Sequence, residues 1–205
     1  EGDQRCVAVA AIVPALCYEP QFRSLTVAHC NSAAAARAVA DYAEHNRHVT
    51  KLVATRVCPG DAETALLLGA LARAGAQSGL ELVDLSENPV GPAAATAMCG
   101  WLAHWQRPLT ELCLANCRLA PRATQQLFQA LTRNPSMSIT LEHLDLGGNR
   151  LELAGTQAMD QWFNALKVYC RLQRLVLRDT GVVLGARDVF VRLLRRADSA
   201  ALFVG

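Results

Sequence analysis

The stretch Leu141–Leu151 reads LEHLDLGGNRL, and the spacing of its leucines and its asparagine decides the fold of this chain. Leu144 and Leu146 alternate with Asp145, so a strand here points the two leucines to one side and the aspartate to the other. Asn149 follows where the chain must turn, and a buried asparagine can satisfy backbone groups that a turn leaves exposed. The stretch therefore predicts a short strand with one buried face and a turn closed by Asn149.

The same pattern recurs along the chain at intervals of about 30 residues, which is the signature of a repeat protein. The other copies are Phe22–Cys30, Val49–Val57, Leu80–Val90, Leu109–Leu119 and Leu172–Val182. The slot of Asn149 is filled in these copies by Cys30, Val57, Asn88, Cys117 and Thr180. We interpret the cysteines in this slot as small structural groups rather than as redox or metal-binding residues.

Segments rich in alanine and leucine lie between the copies, and their apolar residues recur at a spacing of three to four, which predicts helices. They are Ala33–Glu44, Ala62–Ala74, Pro92–Trp105, Pro121–Thr132, Gly155–Tyr169 and Ala186–Arg196. Asn134–Ser138 is interpreted as a slight extension of a loop. Each unit is thus predicted to be one strand followed by one full helix.

The predicted fold is an α/β leucine-rich repeat solenoid of about six units with roughly 30 residues each. Long units with full helices resemble the ribonuclease-inhibitor subclass of these repeats. Because helices are wider than strands, the array bends into a horseshoe with parallel strands on its concave face and helices on its convex face. No domain boundary is visible within 1–205, so we expect one repeat domain. Residues 1–20 and Leu202–Gly205 are interpreted as parts of adjoining units, which places both ends within an array.

The composition is that of a folded, soluble domain. Its 205 residues carry a net charge of +2 and are 52% hydrophobic and 19% charged, which excludes a disordered chain. The balance of 20 basic and 18 acidic residues argues against nucleic acid as a partner. The longest apolar run, Val7–Tyr18, falls short of the roughly 20 residues that span a bilayer, so we expect no membrane insertion by this chain.

No motif of a catalytic, cofactor or metal site is visible. The sequence lacks the GxxxxGK, GxSxG and HExxH patterns. Its eight cysteines form no CxxC pair, and the CxxxC spacing of Cys113 and Cys117 lacks a second pair of ligands. We predict that the chain is not an enzyme, binds no cofactor or metal, and holds its cysteines reduced. Trp101, Trp105 and Trp162 are interpreted as packing residues on helices.

Repeat solenoids bind partners with their concave surface, so the strand positions that point away from the core are candidate contacts. The middle units supply acidic residues and the flanking units supply basic ones, a pattern that could steer a polar partner. The alternative, that these positions are polar only because they face water, stays open. The candidate binding residues are Lys51, Arg56, Glu81, Asp84, Glu87, Glu111, Asn116, Glu142, His143, Asp145, Arg174 and Arg178. A column of small residues predicts that the centre of this surface is open, and it consists of Ala28, Thr55, Ser86, Ala115 and Gly147.

Several segments resemble the repeats of the CARMIL proteins, the capping-protein, Arp2/3 and myosin-I linkers. They are Ile12–Leu25, Ser78–Pro89, Ala130–Pro135 and Thr140–Asn149. The resemblance implies a cytoplasmic scaffold of the actin cytoskeleton, with protein partners such as capping protein or a class-I myosin. It places the protein at the cell cortex or leading edge through membrane-binding regions outside these repeats. In that family the membrane-binding, dimerising and capping-protein-inhibiting parts lie outside the repeats. The resemblance therefore assigns homodimerisation and capping-protein inhibition to no residue of this chain.

Two other functions use the same repeat and remain open from the residues. One is a Ran-GTPase-activating protein, which would supply residues to the active site of a GTPase. The other is an innate-immune NACHT receptor, which the alternation of cysteine and asparagine in the turn slot favours. A fold by itself does not rank them, because function depends on the sites that a fold carries.

Overall fold

The computed structural model describes residues 2–166, 171–182 and 201–203, over which strands and helices alternate as predicted. The strands are β1 (Ser24–Ala28), β2 (Lys51–Thr55), β3 (Leu82–Asp84), β4 (Glu111–Cys113), β5 (His143–Asp145), β6 (Arg174–Val176) and β7 (Ala201–Phe203). The helices are α1 (Gly2–Ile12), α2 (Ala33–His45), α3 (Asp61–Ala74), α4 (Pro92–His104), α5 (Pro121–Arg133), α6 (Pro135–Thr140) and α7 (Glu152–Leu166). Short 3-10 turns cover Val13–Leu16 and Gly75–Gln77.

The strands form one parallel sheet in the order β1 to β7, and consecutive helices pack side by side along it. Each strand is displaced from the next by one repeat, so equivalent residues stand next to one another. The row of residues that faces the helices is buried and consists of Leu25, Leu52, Val83, Leu112, Leu144 and Leu175. This arrangement confirms the predicted solenoid, with its core between the sheet and the helices.

The structure corrects the prediction for Asn134–Ser138, which is a helix start rather than an extension of a loop. The side-chain oxygen of Asn134 accepts a hydrogen bond from the Met137 N–H at 3.1 Å and so caps α6, and Pro135 occupies the first helical position. The Asn134 amide also donates to the carbonyls of Leu102 and Trp105, in the preceding unit. The predicted helix Ala186–Arg196 lies outside the described residues.

Asn88 confirms the role expected of the turn asparagine. It is fully buried, and its Oδ1 accepts hydrogen bonds from the N–H groups of Val57 and Cys58 at 2.9 and 2.8 Å. Its Nδ2 donates to the carbonyls of Ala54 and Leu85, each at 2.7 Å. One side chain therefore ties two successive turns together and supplies hydrogen bonds to buried backbone groups of both.

Cysteine fills the same slot with weaker bonds. The buried Cys117 Sγ donates to the Leu85 carbonyl at 3.3 Å, and burial, above all, raises the pKa of this thiol to about 12. Cys30 is also buried, and burial is the main reason that its pKa is raised to about 11. Both thiols are thus protonated at neutral pH, which fits a structural role.

Asp61 links two helices through a contact that the repeat pattern does not contain. It opens α3, yet its carboxylate accepts hydrogen bonds from the N–H groups of Gly91, Ala93 and Ala94, at the start of α4. A carboxylate suits this place because the first N–H groups of a helix lack partners within it. A Cβ at Gly91 would lie 2.6 Å from the Asp61 carboxylate, so the contact requires glycine there.

The three tryptophans pack in the interior, as interpreted from the sequence. Trp101, Trp105 and Trp162 are all buried. The rings of Trp101 and Trp105 meet edge to face with their centroids 5.7 Å apart, an arrangement that aromatic pairs favour. Within the described residues, no helix combines the length and the apolar character needed to cross a bilayer.

Candidate protein-binding surface on the concave face

Three rows of side chains run across the strands on the side that faces away from the helices, and we call them together the concave face. The first row consists of Lys51, Leu82, Glu111, His143 and Arg174. The second row consists of Val53, Asp84, Cys113, Asp145 and Val176. The third row consists of Thr55, Ser86, Ala115, Gly147 and Arg178. Neighbouring strands of a sheet lie about 4.8 Å apart, so neighbours in a row are within reach of one partner side chain.

The structure brings together seven of the twelve residues that the sequence singled out. They are Lys51, Asp84, Glu111, His143, Asp145, Arg174 and Arg178, all on the concave face. The small residues Thr55, Ser86, Ala115 and Gly147 occupy the third row. Ala28 on β1 stands beside Thr55 and continues the row at one end, and Arg178 closes it at the other.

The other five candidates lie just outside the strands. Glu81 and Glu142 precede β3 and β5, and the interpretation of them as strand positions is corrected by the structure. The alternation of side-chain directions begins one residue after each glutamate, because the buried Leu80 and Leu141 stand directly before the glutamates. Glu87, also interpreted as a strand position, follows β3 in a turn.

Arg56, Glu87 and Asn116 belong to a turn row, made of the residue in each repeat that directly follows the third-row residue and has a left-handed backbone. The members are His29, Arg56, Glu87, Asn116, Gly148 and Asp179, with φ of 57, 51, 63, 54, 70 and 56°. Non-glycine residues adopt this conformation at a cost of roughly 1–2 kcal/mol. The turn row forms one border of the concave face, and its side chains are exposed.

Cys113 lies at the centre of an acidic group that the sequence analysis did not assemble. Asp84 and Asp145 flank it in the second row, and Glu111 lies two residues before it on β4. Burial and these three carboxylates, in that order, raise the pKa of the Cys113 thiol to about 12. The thiol is therefore protonated and a poor nucleophile at neutral pH. Its position could have been predicted, since Cys113 has the central place in LCL (112–114) that Asp84 has in VDL and Asp145 has in LDL.

The two aspartates of the second row are held in place by their own backbone. Asp84 Oδ1 accepts a hydrogen bond from the Ser86 N–H at 2.9 Å, and Asp145 Oδ1 accepts one from the Gly147 N–H at 2.8 Å. In each case Oδ2 has no hydrogen bond to another described residue. Each aspartate thus offers a fixed oxygen to a donor approaching from outside, at little cost in side-chain entropy.

His143 and Glu111 are neighbours in the first row. His143 Nδ1 lies 3.6 Å from Glu111 Oε2, a distance that gives an ion pair only when the histidine is protonated. Nε2 of His143 is buried and has no hydrogen-bond partner among the described residues. Basic side chains stand on both sides of this pair, with Lys51 on β2 and Arg174 on β6, and both are exposed.

The concave face is a mixed surface rather than a purely polar one. Leu82, Val53 and Val176 are half-buried between the charged positions. Within the part of the chain that the structure describes, no group of three or more His, Cys, Asp or Glu side chains is arranged to hold a metal ion. Charged groups with apolar side chains between them are typical of a surface that contacts a protein.

Known proteins share this repeat with the chain, although no family model matches it. The human "Capping protein, Arp2/3 and myosin-I linker protein 3" is 34% identical over 79 residues, which are 38% of this chain and 6% of that protein. The human "NACHT, LRR and PYD domains-containing protein 12" is 34% identical over 113 residues, which are 55% of this chain and 10% of that protein. The matches thus cover a small part of these longer relatives.

A known structure shares the fold across nearly the whole chain. The C-terminal domain of a Caenorhabditis elegans tropomodulin superposes with a TM-score of 0.54 at 14% sequence identity, over 93% of this chain and 98% of that domain. Identity this low bears on the fold alone. The match to the human capping protein, Arp2/3 and myosin-I linker protein 3 confirms the resemblance seen in the residues. The chain therefore has a leucine-rich repeat fold, and part of its sequence is similar to a protein of the CARMIL type.

Proposed function

We propose that this chain is a non-catalytic protein-interaction domain of an actin-cytoskeleton regulator, and that it binds its partner with the concave face. The observation that carries the proposal is the placement of charge on that face. Asp84, Glu111 and Asp145 form its acidic centre, while Lys51 and Arg174 stand on the flanking strands. Such an alternation favours a partner with complementary charges and disfavours others.

The chemistry of the acidic centre supports binding rather than catalysis. A nucleophile requires a lowered pKa or an adjacent base, whereas the Cys113 thiol has its pKa raised to about 12 by burial and nearby carboxylates. Asp84 and Asp145 each use one oxygen to bind the backbone of their own strand. These groups are arranged to accept hydrogen bonds from a partner, not to transfer protons or acyl groups.

The relatives support the actin assignment. The human relative is named as a linker of capping protein, Arp2/3 and myosin-I, and it is 34% identical to this chain over 79 residues. We propose a cytoplasmic protein at the cell cortex, whose partners include capping protein or a class-I myosin. Because the match spans 6% of that relative, activities of its other parts are not assigned to residues of this chain.

The test is affinity purification of the full-length protein from its own cells, followed by mass spectrometry. We expect capping protein or a class-I myosin among the proteins recovered with the wild type. The matched variant Asp84→Asn with Asp145→Asn removes two charges and keeps both backbone hydrogen bonds. Recovery of actin regulators at equal levels with this variant would contradict the assignment to the concave face, and their absence with the wild type would contradict the actin assignment.

A second candidate function is that of the repeat domain of a NACHT receptor. It is favoured by the match to the human NACHT-domain relative, which spans 55% of this chain at 34% identity. The same purification separates the two candidates. Recovery of innate-immune signalling proteins without actin regulators would favour the receptor.

A further inference from the structure

We propose that the second row of the concave face is a docking site for an amphipathic helix of a partner protein, which lies across the strands from β2 to β6. The helix would carry two basic residues seven positions apart, with apolar residues before, between and after them. The proposal rests on the function proposed above, a partner bound by the concave face, and adds the chemistry of the bound segment.

The first observation is the order of the side chains in the second row, which is symmetric about its centre. On adjacent strands, and all half-buried, follow Val53, Asp84, Cys113, Asp145 and Val176. The central thiol is uncharged at neutral pH, because burial and nearby carboxylates raise the pKa of Cys113 to about 12. The row thus offers an apolar contact, a carboxylate, an uncharged contact, a second carboxylate and a second apolar contact.

The second observation is the spacing of these positions, which favours a helix over an extended segment. Adjacent strands lie about 4.8 Å apart, so Asp84 and Asp145 are separated by about 10 Å across the sheet. One face of a helix presents residues i, i+4, i+7, i+11 and i+14 at intervals of about 5 Å, and residues seven apart are separated by about 10.5 Å. An extended segment repeats on one face only every 6.7 Å or so, out of step with the strands. A helix therefore matches all five positions.

The third observation is that the charges of the row suit two cations at this spacing. Asp84 and Asp145 each bind their own backbone through Oδ1, and Oδ2 makes no hydrogen bond to another described residue. Glu111 adds a negative charge beside the centre, in the first row. A lysine or arginine that reaches Oδ2 forms a charge-assisted hydrogen bond, which is stronger than a bond between neutral groups. The acidic centre thus selects basic residues on the bound face of the helix.

The fourth observation is that apolar side chains lie on both sides of the acidic centre. Val53 and Val176 end the second row, and the half-buried Leu82 lies two residues before Asp84 on β3. Covering these side chains removes apolar surface from water, a gain that a small cation does not provide. Together with the carboxylates, they require apolar and basic residues on one face, which is the pattern of an amphipathic helix.

The third row leaves room for a helix beside the second row. Between β2 and β5 its side chains end at a γ atom or earlier, and they are Thr55, Ser86, Ala115 and Gly147. Each of the strands β2 to β6 also pairs with a strand on either side. The exposure of the second row is therefore a property of the middle of the sheet and does not depend on where the sheet begins or ends.

The experiment uses two synthetic helical peptides with a fluorescent label, and anisotropy measures their binding to the full-length protein at physiological ionic strength. The first peptide is ALQAARQALEAARQALQA, with its leucines and both arginines on one face. The second is ALQAARQALERAAQALQA, which has the same composition and carries its second arginine on the opposite face. We expect the first peptide to bind at least about tenfold more tightly. Equal affinities, or no binding of the first peptide, would overturn the proposal.

Matched variants test whether the two aspartates cause the preference. Asp84→Asn with Asp145→Asn keeps both backbone hydrogen bonds and should reduce the preference for the first peptide to less than about threefold. The control is Asp41→Asn with Glu63→Gln, which removes two charges from α2 and α3 and should keep the full preference. A preference that survives unchanged in the concave variant would overturn the proposal.

A crosslink to the partner recovered from cells separates failure of this proposal from failure of the proposed function. The crosslinker is p-benzoylphenylalanine in place of Ala115 in the third row or, as a control, of the exposed Gln129 on α5. We expect position 115 to capture a segment with two basic residues seven apart and apolar residues between them. A captured segment without this pattern would overturn the helix and leave binding by the concave face standing. Capture at position 129 alone would contradict the proposed function as well.

Discussion

Along β3, β4 and β5, the side chains that face the helices differ from those of the adjacent concave row in chemistry, burial and freedom to vary. The helix-facing row is apolar and has no exposed surface, and it consists of Val83, Leu112 and Leu144. The concave row is half-buried and consists of Asp84, Cys113 and Asp145. The first row is dictated by packing against neighbouring units, so it serves the fold. The second row meets no such constraint, and it is therefore the row in which recognition of a partner can be encoded.

The largest loss of stability is expected from Leu144→Ala on the helix-facing side. Leu144 is fully buried, and truncation of a buried leucine costs about 2–5 kcal/mol because a cavity adds to the loss of apolar burial. Urea unfolding measures the change. The matched control is Asp145→Ala, one residue along the same strand on the concave side, which should cost less than about 1 kcal/mol. Equal losses for the two variants would contradict the distinction between the faces.

The turn slot lies on the helix-facing side, and Asn88→Ala is expected to cost on the order of 3 kcal/mol. Its removal leaves the N–H groups of Val57 and Cys58 and the carbonyl of Ala54 buried without this partner. Cys117→Ala in the equivalent slot should cost about 1 kcal/mol, because the thiol makes weaker bonds. Thermal unfolding of the two variants checks the order. A larger loss at Cys117 would show that the slot depends on volume rather than on hydrogen bonds.

A smaller effect is expected at the border between the two sides, from Gly148→Ala. Gly148 has a φ of +70°, and a Cβ there would overlap the side-chain oxygen of Asn116. We expect a loss of about 2 kcal/mol, of which the backbone conformation accounts for about 1. Gly181→Ala is the matched control, since its φ is +64° and a Cβ would meet nothing within 4 Å.

The double variant Gly148→Ala with Asn116→Ala separates strain from overlap. Residue 116 also has a positive φ, so the double variant is compared with Asn116→Ala alone. In that background, Gly148→Ala should lose only what the backbone conformation costs, a loss equal to that of Gly181→Ala. A double variant that recovers nothing would assign the whole cost at Gly148 to its backbone conformation.

The repeat pattern predicted the helix-facing side well. Apolar alternation in segments such as Leu141–Leu151 is imposed by packing, so it identified the strands, their order and the buried asparagines. Every unit must bury the same side of its strand, and six imperfect copies of the pattern are enough to locate the buried positions. The prediction of Asn88 as a buried ladder residue is confirmed for that reason.

The repeat pattern did not predict the side-chain contacts between units. The cap that Asp61 provides to α4 and the bonds of Asn134 to Leu102 and Trp105 join residues about 30 positions apart, and each occurs in particular units rather than in all. The concave candidates were predicted only in part for a similar reason. Side chains such as Glu81 and Glu87 lie at strand ends, where the alternation of directions no longer holds.

The most direct test of the central claim is the affinity of the full-length protein for the partner recovered from cells, measured by calorimetry. The variants are Asp84→Asn with Asp145→Asn, and Asp84→Lys with Asp145→Lys. The control is Asp41→Lys with Glu63→Lys, which makes the same change in net charge on helices α2 and α3.

If the concave face binds the partner, the lysine pair lowers the affinity by about tenfold or more, which is a loss of at least about 1.4 kcal/mol in binding free energy. The asparagine pair lowers the affinity by less. The control binds like the wild type. The free energy of unfolding of the asparagine pair lies within about 0.5 kcal/mol of that of the wild type. Unchanged affinity in both concave variants, or an equal loss in the control, would contradict the claim that the concave face carries recognition.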